Sequence, residues 1–149
     1  MRTRLLAAAI LTAAAVPALA LAGGTAMSPV VSSKLTGKSE APAKGDPDGS
    51  GIVILHLNAT KGTACWDFKN VTKIDKAAAA HIHKGAVGKA GPVVVPFGPA
   101  YKAKGCTKAA KGVIVAIEEH PNRYYVNVHT AKYPSGAIRG QLVAGMIGG

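Results

Sequence analysis

The stretch YYVNVHTAKYPSGAIRGQLV (residues 124–143) contains two runs in which apolar and polar side chains alternate. Side chains two positions apart in a β-strand share one face, so each run predicts a strand with one apolar and one polar side. Between the runs, Pro134 and Gly136 stand at positions that favour a turn. We therefore predict a β-hairpin. Its polar side would carry Tyr125, Asn127, His129, Arg139 and Gln141.

A second stretch, AAAAHIHKGAVGKAGPVVVPF (residues 77–97), follows the same alternation. A strand here would turn Ile82 toward the core and the imidazoles of His81 and His83 outward. The glycine-rich segment GAVGKAG has neither the lysine spacing of a Walker motif nor a GxGxxG order. We expect it to be a flexible connection between strands rather than a phosphate-binding loop.

Short β-rich runs separated by turn signals extend over most of the chain. They cover residues 30–35, 52–57, 65–68, 80–83, 93–97, 113–117, 124–130 and 137–143. The segment KIDKAAAAH has good helix propensity but is too short for more than a helical turn before the His-Ile-His alternation begins. We predict an all-β fold, namely a Greek-key, immunoglobulin-like antiparallel β-sandwich of about eight strands.

The beginning of the chain has the layout of a secretory signal peptide. Arg2 and Arg4 precede an apolar run, and small residues form A-x-A sites that end at Ala20 and Ala22. We predict a signal peptide over residues 1–22, a disordered segment over residues 23–29 and a single β-sandwich domain over residues 30–145. The mature protein would be secreted or periplasmic, without stable membrane insertion after signal cleavage.

The cysteines and the net charge limit the cellular location and the kind of partner that the protein can have. Cys65 and Cys106 are the two cysteines of the chain, and export to an oxidising compartment predicts that they form a disulfide. The formal net charge is +11, carried mostly by lysines scattered through loops. This pattern is typical of a solubilising surface, and the alternative is attraction to an anionic surface polymer. The scarcity of aromatic residues argues against nucleic acid as a partner.

Two segments resemble the CHRD family, the chordin-type domain found in chordin and in many exported bacterial proteins. They are AAHIHKGAVGKAGPVVVPF and YYVNVHTAKYPSGAIRGQL, supported by KLTGKSEAP, DPDGSG and the placing of the two cysteines. The resemblance implies a small all-β extracellular domain and, as in chordin, a setting of protein binding without established catalysis. One departure is GKSEAP, where the family more often has a Gln-Glu pair, which leaves the role of this first loop open.

His81, His83 and His129 form a candidate metal site. Imidazoles at positions i and i+2 of a strand have Cα atoms about 6.5 to 7 Å apart, so both rings can reach one ion. A third imidazole from the polar side of the hairpin would complete a set of ligands that suits copper or zinc.

Two observations oppose a metal. An outward sheet face is where polar residues belong, and the histidines could simply form hydrogen bonds with Asn127 and Gln141. Arg139 on the same face would repel a cation and would favour an anionic ligand or a carboxylate. Both interpretations therefore stay open at this point.

We expect a non-enzymatic extracellular binding or structural module with a candidate histidine metal site, whose partner is an extracellular protein or an anionic surface polymer. One alternative is a metalloprotein like the Cu/Zn superoxide dismutases, because HIH resembles their copper-binding His-x-His strand. Those enzymes need a bridging histidine and a separate zinc set, whereas only His56 and His120 remain in this chain. Another alternative is a cationic adhesive module for cell-surface polymers.

Overall fold

The computed structural model describes residues 29–146, and nearly all of its regular structure is β-strand. The strands are β1 (Val30–Thr36), β2 (Ser50–Asn58), β3 (Thr63–Thr72), β4 (Ala77–Lys84), β5 (Val93–Pro96), β6 (Lys104–Lys108), β7 (Tyr124–Thr130), β8 (Ile138–Gln141) and β9 (Val143–Ala144). The helix α1 (Lys111–Glu119) precedes β7, and short 3-10 turns cover Gly37–Ser39 and Pro121–Arg123. The predicted signal peptide and residues 23–28 of the predicted disordered segment lie outside the described residues.

The nine strands pair into one antiparallel sheet in the order β5-β4-β7-β8-β1-β2-β3-β6, with β9 paired to β1. The sheet curls until its two ends approach each other: the ring of Phe97, just after β5, stacks on Trp66 of β3 at a centroid distance of 4.5 Å. The amide of Tyr101, in the segment before β6, also donates to the carbonyl of Ala78 in β4, 2.8 Å away. The prediction of an all-β antiparallel domain is confirmed, but the pairing shows one nearly closed sheet and does not show the two separate sheets of a Greek-key sandwich.

The concave side of the curled sheet holds the hydrophobic core. Alternate residues of β2, namely Val53, Leu55 and Leu57, are fully buried, as the alternation of side chains in a strand requires. Burial of each such side chain stabilises the fold by about 1.5 to 3 kcal/mol. Helix α1 adds Ile114 and Ile117, which lie three residues apart on one helical face.

The structure corrects two predictions about secondary structure and adds one strand that was not predicted. Residues 113–117, predicted as a strand, belong to α1, because burial of one helical face outweighs the β propensity of the branched side chains. The alanines from Ala77 onward, predicted as a helical turn at most, form β4 because they pair with β7. The strand Lys104–Lys108 was not predicted, and its lysine-rich sequence explains why. None of the helices within residues 29–146 is long and apolar enough to cross a membrane.

The predicted hairpin and the predicted disulfide are both confirmed. Strands β7 and β8 pair with Tyr125 opposite Gln141 and Asn127 opposite Arg139. The disulfide joins Cys65 of β3 to Cys106 of β6, at directly opposed positions of the two strands. Because such bonds persist in oxidising compartments, the disulfide indicates a location outside the cytosol.

Candidate metal centre

The pairing of β4 with β7 brings three histidines to one place on the sheet. Ala79 lies opposite His129 and His81 lies opposite Asn127, so the imidazoles of His81 and His129 meet diagonally across the two strands. Nδ1 of His81 is 3.1 Å from Nε2 of His129. One ring nitrogen from each of His81, His83 and His129 lies within 4.8 Å of the other two. The structure therefore unites the three residues that the sequence analysis proposed as ligands.

Two of these imidazoles are held by backbone carbonyls through the nitrogen that faces away from the cluster. Nδ1 of His83 lies 2.9 Å from the carbonyl oxygen of Gly91, and Nδ1 of His129 lies 2.9 Å from that of Pro134. A carbonyl oxygen only accepts, so each Nδ1 must carry the proton, and each Nε2 is left with a lone pair. Metal-binding histidines are commonly oriented in this way by a second group.

The Nε2 atom of His83 is buried and has no hydrogen-bond partner within the described chain. The same holds for Oδ1 of Asn127, the residue that lies opposite His81 in the sheet. Both side chains are well shielded, with 8% of His83 and 2% of Asn127 exposed. The Asn127 side chain interacts with the His83 ring and raises its pKa, so the two side chains lie beside each other. A buried polar atom without a partner costs about 1 to 3 kcal/mol, and either a bound group or a turned Asn127 amide would remove this cost at His83.

Burial keeps the three imidazoles neutral. Loss of solvation lowers the pKa of His81 to about 4, and the neighbouring His129 and His83 add to this effect. Burial also lowers the pKa of His83 and of His129. The contacts of His83 with Gly91 and Asn127 raise its pKa, while the positive charge of Arg139 lowers it. The hydrogen bond to Pro134 raises the pKa of His129. Since a metal ion binds the neutral imidazole, the rings are ready to coordinate at neutral pH without losing a proton first.

The polar face of these strands is covered, which corrects the prediction of outward, solvent-facing side chains. The segment Gly85–Gly91 folds back over the sheet, and several of its carbonyl oxygens point toward the polar side chains of β4 and β8. Arg139 donates from one terminal nitrogen to the carbonyls of Ala86 and Lys89, each at 2.9 Å. Gln141 donates to the carbonyl of Gly85 at 2.7 Å. Arg139 is 1% exposed as a result, and Tyr125 is buried as well.

Gly91 explains why this covering segment can lie so close, and it is a residue that the sequence analysis did not single out. A Cβ atom at this position would overlap the carbonyl oxygen of Lys84. Gly91 also donates its amide to the hydroxyl of Tyr125 at 3.1 Å, while its carbonyl orients His83. The signal available in the sequence was a glycine directly before Pro92 and the valine run.

The sequence model of the CHRD domain family matches residues 31–142 of the chain. The chain belongs to the CHRD family. The match includes both segments that carry the predicted resemblance, so that prediction is confirmed. No curated protein and no solved structure matches the chain.

Arg139 of this CHRD domain lies against an aromatic ring and within the electrostatic influence of a carboxyl group of the chain itself. Its guanidinium carbon lies 3.3 Å from the centre of the Tyr125 ring, which also stacks on His83 at 4.8 Å. Burial raises the pKa of Glu40 to about 7, and the positive charge of Arg139 opposes this rise. Glu40 lies in the GKSEAP segment, whose role the sequence left open, and the charge of Arg139 acts on its carboxyl. The preference of Arg139 for an anionic ligand or a carboxylate stays a prediction.

The two remaining histidines lie apart from this cluster. His56 is exposed on β2, and His120 is exposed at the end of α1. Within residues 29–146, His81, His83 and His129 are the one group of three or more potential metal ligands that the structure brings together. The second metal set that a Cu/Zn dismutase needs is therefore not assembled by the described part of the CHRD domain.

Proposed function

We propose that this CHRD domain is an exported, non-enzymatic binding module that holds one copper or zinc ion through His81, His83 and His129. The observation that carries the proposal is the convergence of three imidazole nitrogens within 4.8 Å of one another. Imidazole is a suitable ligand for both metals. Three protein ligands leave at least one further position on the metal for water or for a group from a partner.

The surroundings of the cluster contain features for and against a metal. Hydrogen bonding satisfies the contact between His81 and His129, whereas Nε2 of His83 forms no hydrogen bond in the described chain, although Asn127 interacts with its ring. The positive charge of Arg139, which lowers the pKa of His83, opposes a cation, so the open Nε2 lone pair is the feature that supports one. A bound ion would use that lone pair. The Gly91 and Pro134 carbonyls already orient two of the rings. The ring nitrogens, now within 4.8 Å of one another, must move closer together on binding, because two ligands about 2.0 to 2.1 Å from one ion lie at most about 4.2 Å apart.

Export and a binding role are supported by the chemistry of the chain. The Cys65–Cys106 disulfide suits an oxidising compartment. The formal net charge of +11 becomes +9 once Arg2 and Arg4 of the predicted signal peptide are removed, and it favours an anionic partner, such as a cell-surface polymer or an acidic extracellular protein. In this proposal the metal fixes the covered polar face of the sheet and offers its open position to a ligand, while the domain itself performs no reaction. A dismutase-like activity has less support because His56 and His120 lie elsewhere.

The test is a calorimetric titration of copper(II) and of zinc(II) into metal-stripped protein. The wild type should bind one ion per chain. His83→Ala should lose at least about 100-fold in affinity, more than is usual when only an outer-shell partner is removed. His56→Ala is the matched control, since it removes an exposed imidazole away from the cluster and should bind like the wild type. Equal uptake by the wild type and His83→Ala would refute the metal site.

A further inference from the structure

The histidine cluster contains no negatively charged ligand. The group that the described residues bring together consists of His81, His83 and His129, without a carboxylate or a thiolate. The three imidazoles are neutral, because burial lowers the pKa of each. A metal ion held by these rings therefore keeps its whole charge, and a divalent ion brings twice the charge of a monovalent ion into the site.

A buried guanidinium places a second positive charge beside the cluster. Because β7 lies between β4 and β8, the ring of Tyr125 lies between His83 and Arg139. The ring stacks on His83 at 4.8 Å, and the guanidinium carbon of Arg139 lies 3.3 Å from the ring centre. Arg139 is buried, so water screens its charge only weakly. This charge already opposes the protonation of His83, and it opposes a metal ion at the same imidazole in the same way.

Glu40 compensates the charge of Arg139 only in part. The carboxyl of Glu40 acts on Arg139 and raises its pKa, whereas burial has the larger effect and lowers it. Burial also raises the pKa of Glu40 to about 7, so this carboxyl is mostly uncharged at about pH 6. At that pH the charge of Arg139 acts on the cluster almost in full, and its repulsion of a bound ion increases with the charge of that ion.

From these features we infer that the cluster binds copper(I) more tightly than copper(II), which rests on the metal site proposed above. The monovalent ion meets half the repulsion that the divalent ion meets. Three imidazoles can also complete the coordination of copper(I), whereas a divalent ion commonly takes at least one further ligand. His81 and His129 are only half-buried, so the cluster is open to an ion from solvent.

The reduction potential of the bound copper measures this preference. A potential above that of the copper ion in water means that the protein binds copper(I) more tightly than copper(II). Protein loaded with one equivalent of copper is titrated with redox mediators at about pH 6, and electron paramagnetic resonance follows the copper(II) signal. We expect copper(I) to bind at least about tenfold more tightly, which raises the potential by about 59 mV or more.

The outcomes separate this inference from the proposed function. A potential at or below that of the copper ion in water would overturn the preference for copper(I) and leave the metal site in place. If the protein binds copper in neither oxidation state, both the site and the preference are refuted.

Asn127→Asp supplies the negative charge that the cluster lacks, with almost no change in shape. Asn127 lies opposite His81 in the sheet, and its side chain interacts with His83. The new carboxylate should favour copper(II) about tenfold, which lowers the potential by about 59 mV relative to the wild type. Asn58→Asp is the matched control, because Asn58 ends β2 and its side-chain oxygen accepts from the amide of Lys61. Its potential should equal that of the wild type.

An unchanged potential in folded Asn127→Asp would contradict the electrostatic origin of the preference. Circular dichroism shows whether each variant is folded. If Asn127→Asp does not fold, the potential of the wild type decides alone.

Discussion

Glu40 shows how strongly a single buried carboxyl can depend on its surroundings. Its side chain packs against Gly136, where a Cβ atom would overlap the carboxylate, and one of its oxygens is buried without a partner in the described chain. Loss of solvation raises its pKa from 4.5 to about 7, despite the nearby charge of Arg139. A carboxyl of this kind makes the stability of the fold depend on pH.

The direction of the pH dependence follows from the raised pKa of Glu40. Because the folded-state pKa is raised, Glu40 contributes stability below about pH 4.5, and this contribution is lost as the pH rises through about 7. Glu40→Gln lacks this dependence. Relative to the wild type, the variant should therefore be more stable at about pH 8.5 than at about pH 5, by about 1 to 2 kcal/mol after allowance for the partial exposure of the side chain.

Urea unfolding of both proteins at the two pH values measures this difference. The histidines titrate over part of the same range with the opposite sign, since burial lowers their pKa, but they are present in both proteins and cancel in the comparison. A stability difference that is the same at both pH values would show that Glu40 does not titrate in this way.

The candidate ligands themselves could be predicted from the sequence, but their environment could not. Alternation places His81 and His83 on one face of a strand, and the hairpin places His129 on the matching side. What alternation cannot show is that a segment folds back over that face. The burial of Arg139 and the role of Glu40 depend on contacts between residues that are far apart in the chain.

Among the elements of the fold, the covering segment Gly85–Gly91 links the sheet to the histidine cluster. Gly91→Ala should push this segment away, because the new Cβ would overlap the Lys84 carbonyl. The Gly91 carbonyl would then no longer orient His83. We expect the free energy of unfolding to fall by about 1 to 3 kcal/mol and the metal affinity to fall by about 10- to 100-fold, although every ligand is still present.

Thermal unfolding and metal titration check this prediction together. Gly112→Ala is the control for the glycine-to-alanine change, because a Cβ at Gly112 in α1 meets nothing within 4 Å. Alanine also has the higher helix propensity, so this variant should be at least as stable as the wild type. Wild-type metal affinity in Gly91→Ala would show that the covering segment does not position His83.

Helix α1 shows where interpretation of isolated segments fails. Its branched residues, such as Val113 and Val115, favour a strand when considered locally. In the folded chain, Ile114 and Ile117 are fully buried and the residues between them are not, which is a helical spacing. Strand β6 is the converse case, because KGCTK has weak strand propensity and is held in the sheet by its pairing with β3 and by the disulfide.

For the whole molecule, the disulfide joins the end strand β6 to β3, whereas the histidine cluster lies on β4 and β7. It closes a loop with a sequence separation of 41. Replacing both cysteines, as Cys65→Ala with Cys106→Ala, should lower the free energy of unfolding by about 2 to 5 kcal/mol in urea. The metal affinity of the folded double variant should equal that of the wild type. A folded double variant that no longer binds metal would contradict the separation of the two regions.

Much of the fold followed from the sequence: the all-β class, the hairpin, the disulfide and the family. Closure of the sheet did not follow, because it depends on the long-range stack of Trp66 on Phe97 and on pairing of an unpredicted strand. Local patterns define strands and faces, whereas strand order is determined by contacts that only the folded chain makes.

Anomalous diffraction from crystals grown with one equivalent of copper or zinc shows whether His81, His83 and His129 bind one metal ion. We expect one strong peak, about 2.0 to 2.1 Å from a ring nitrogen of each of the three residues. A peak at His56 or His120 instead, or no peak at the cluster in a crystal that holds the metal elsewhere, would refute the three-histidine site.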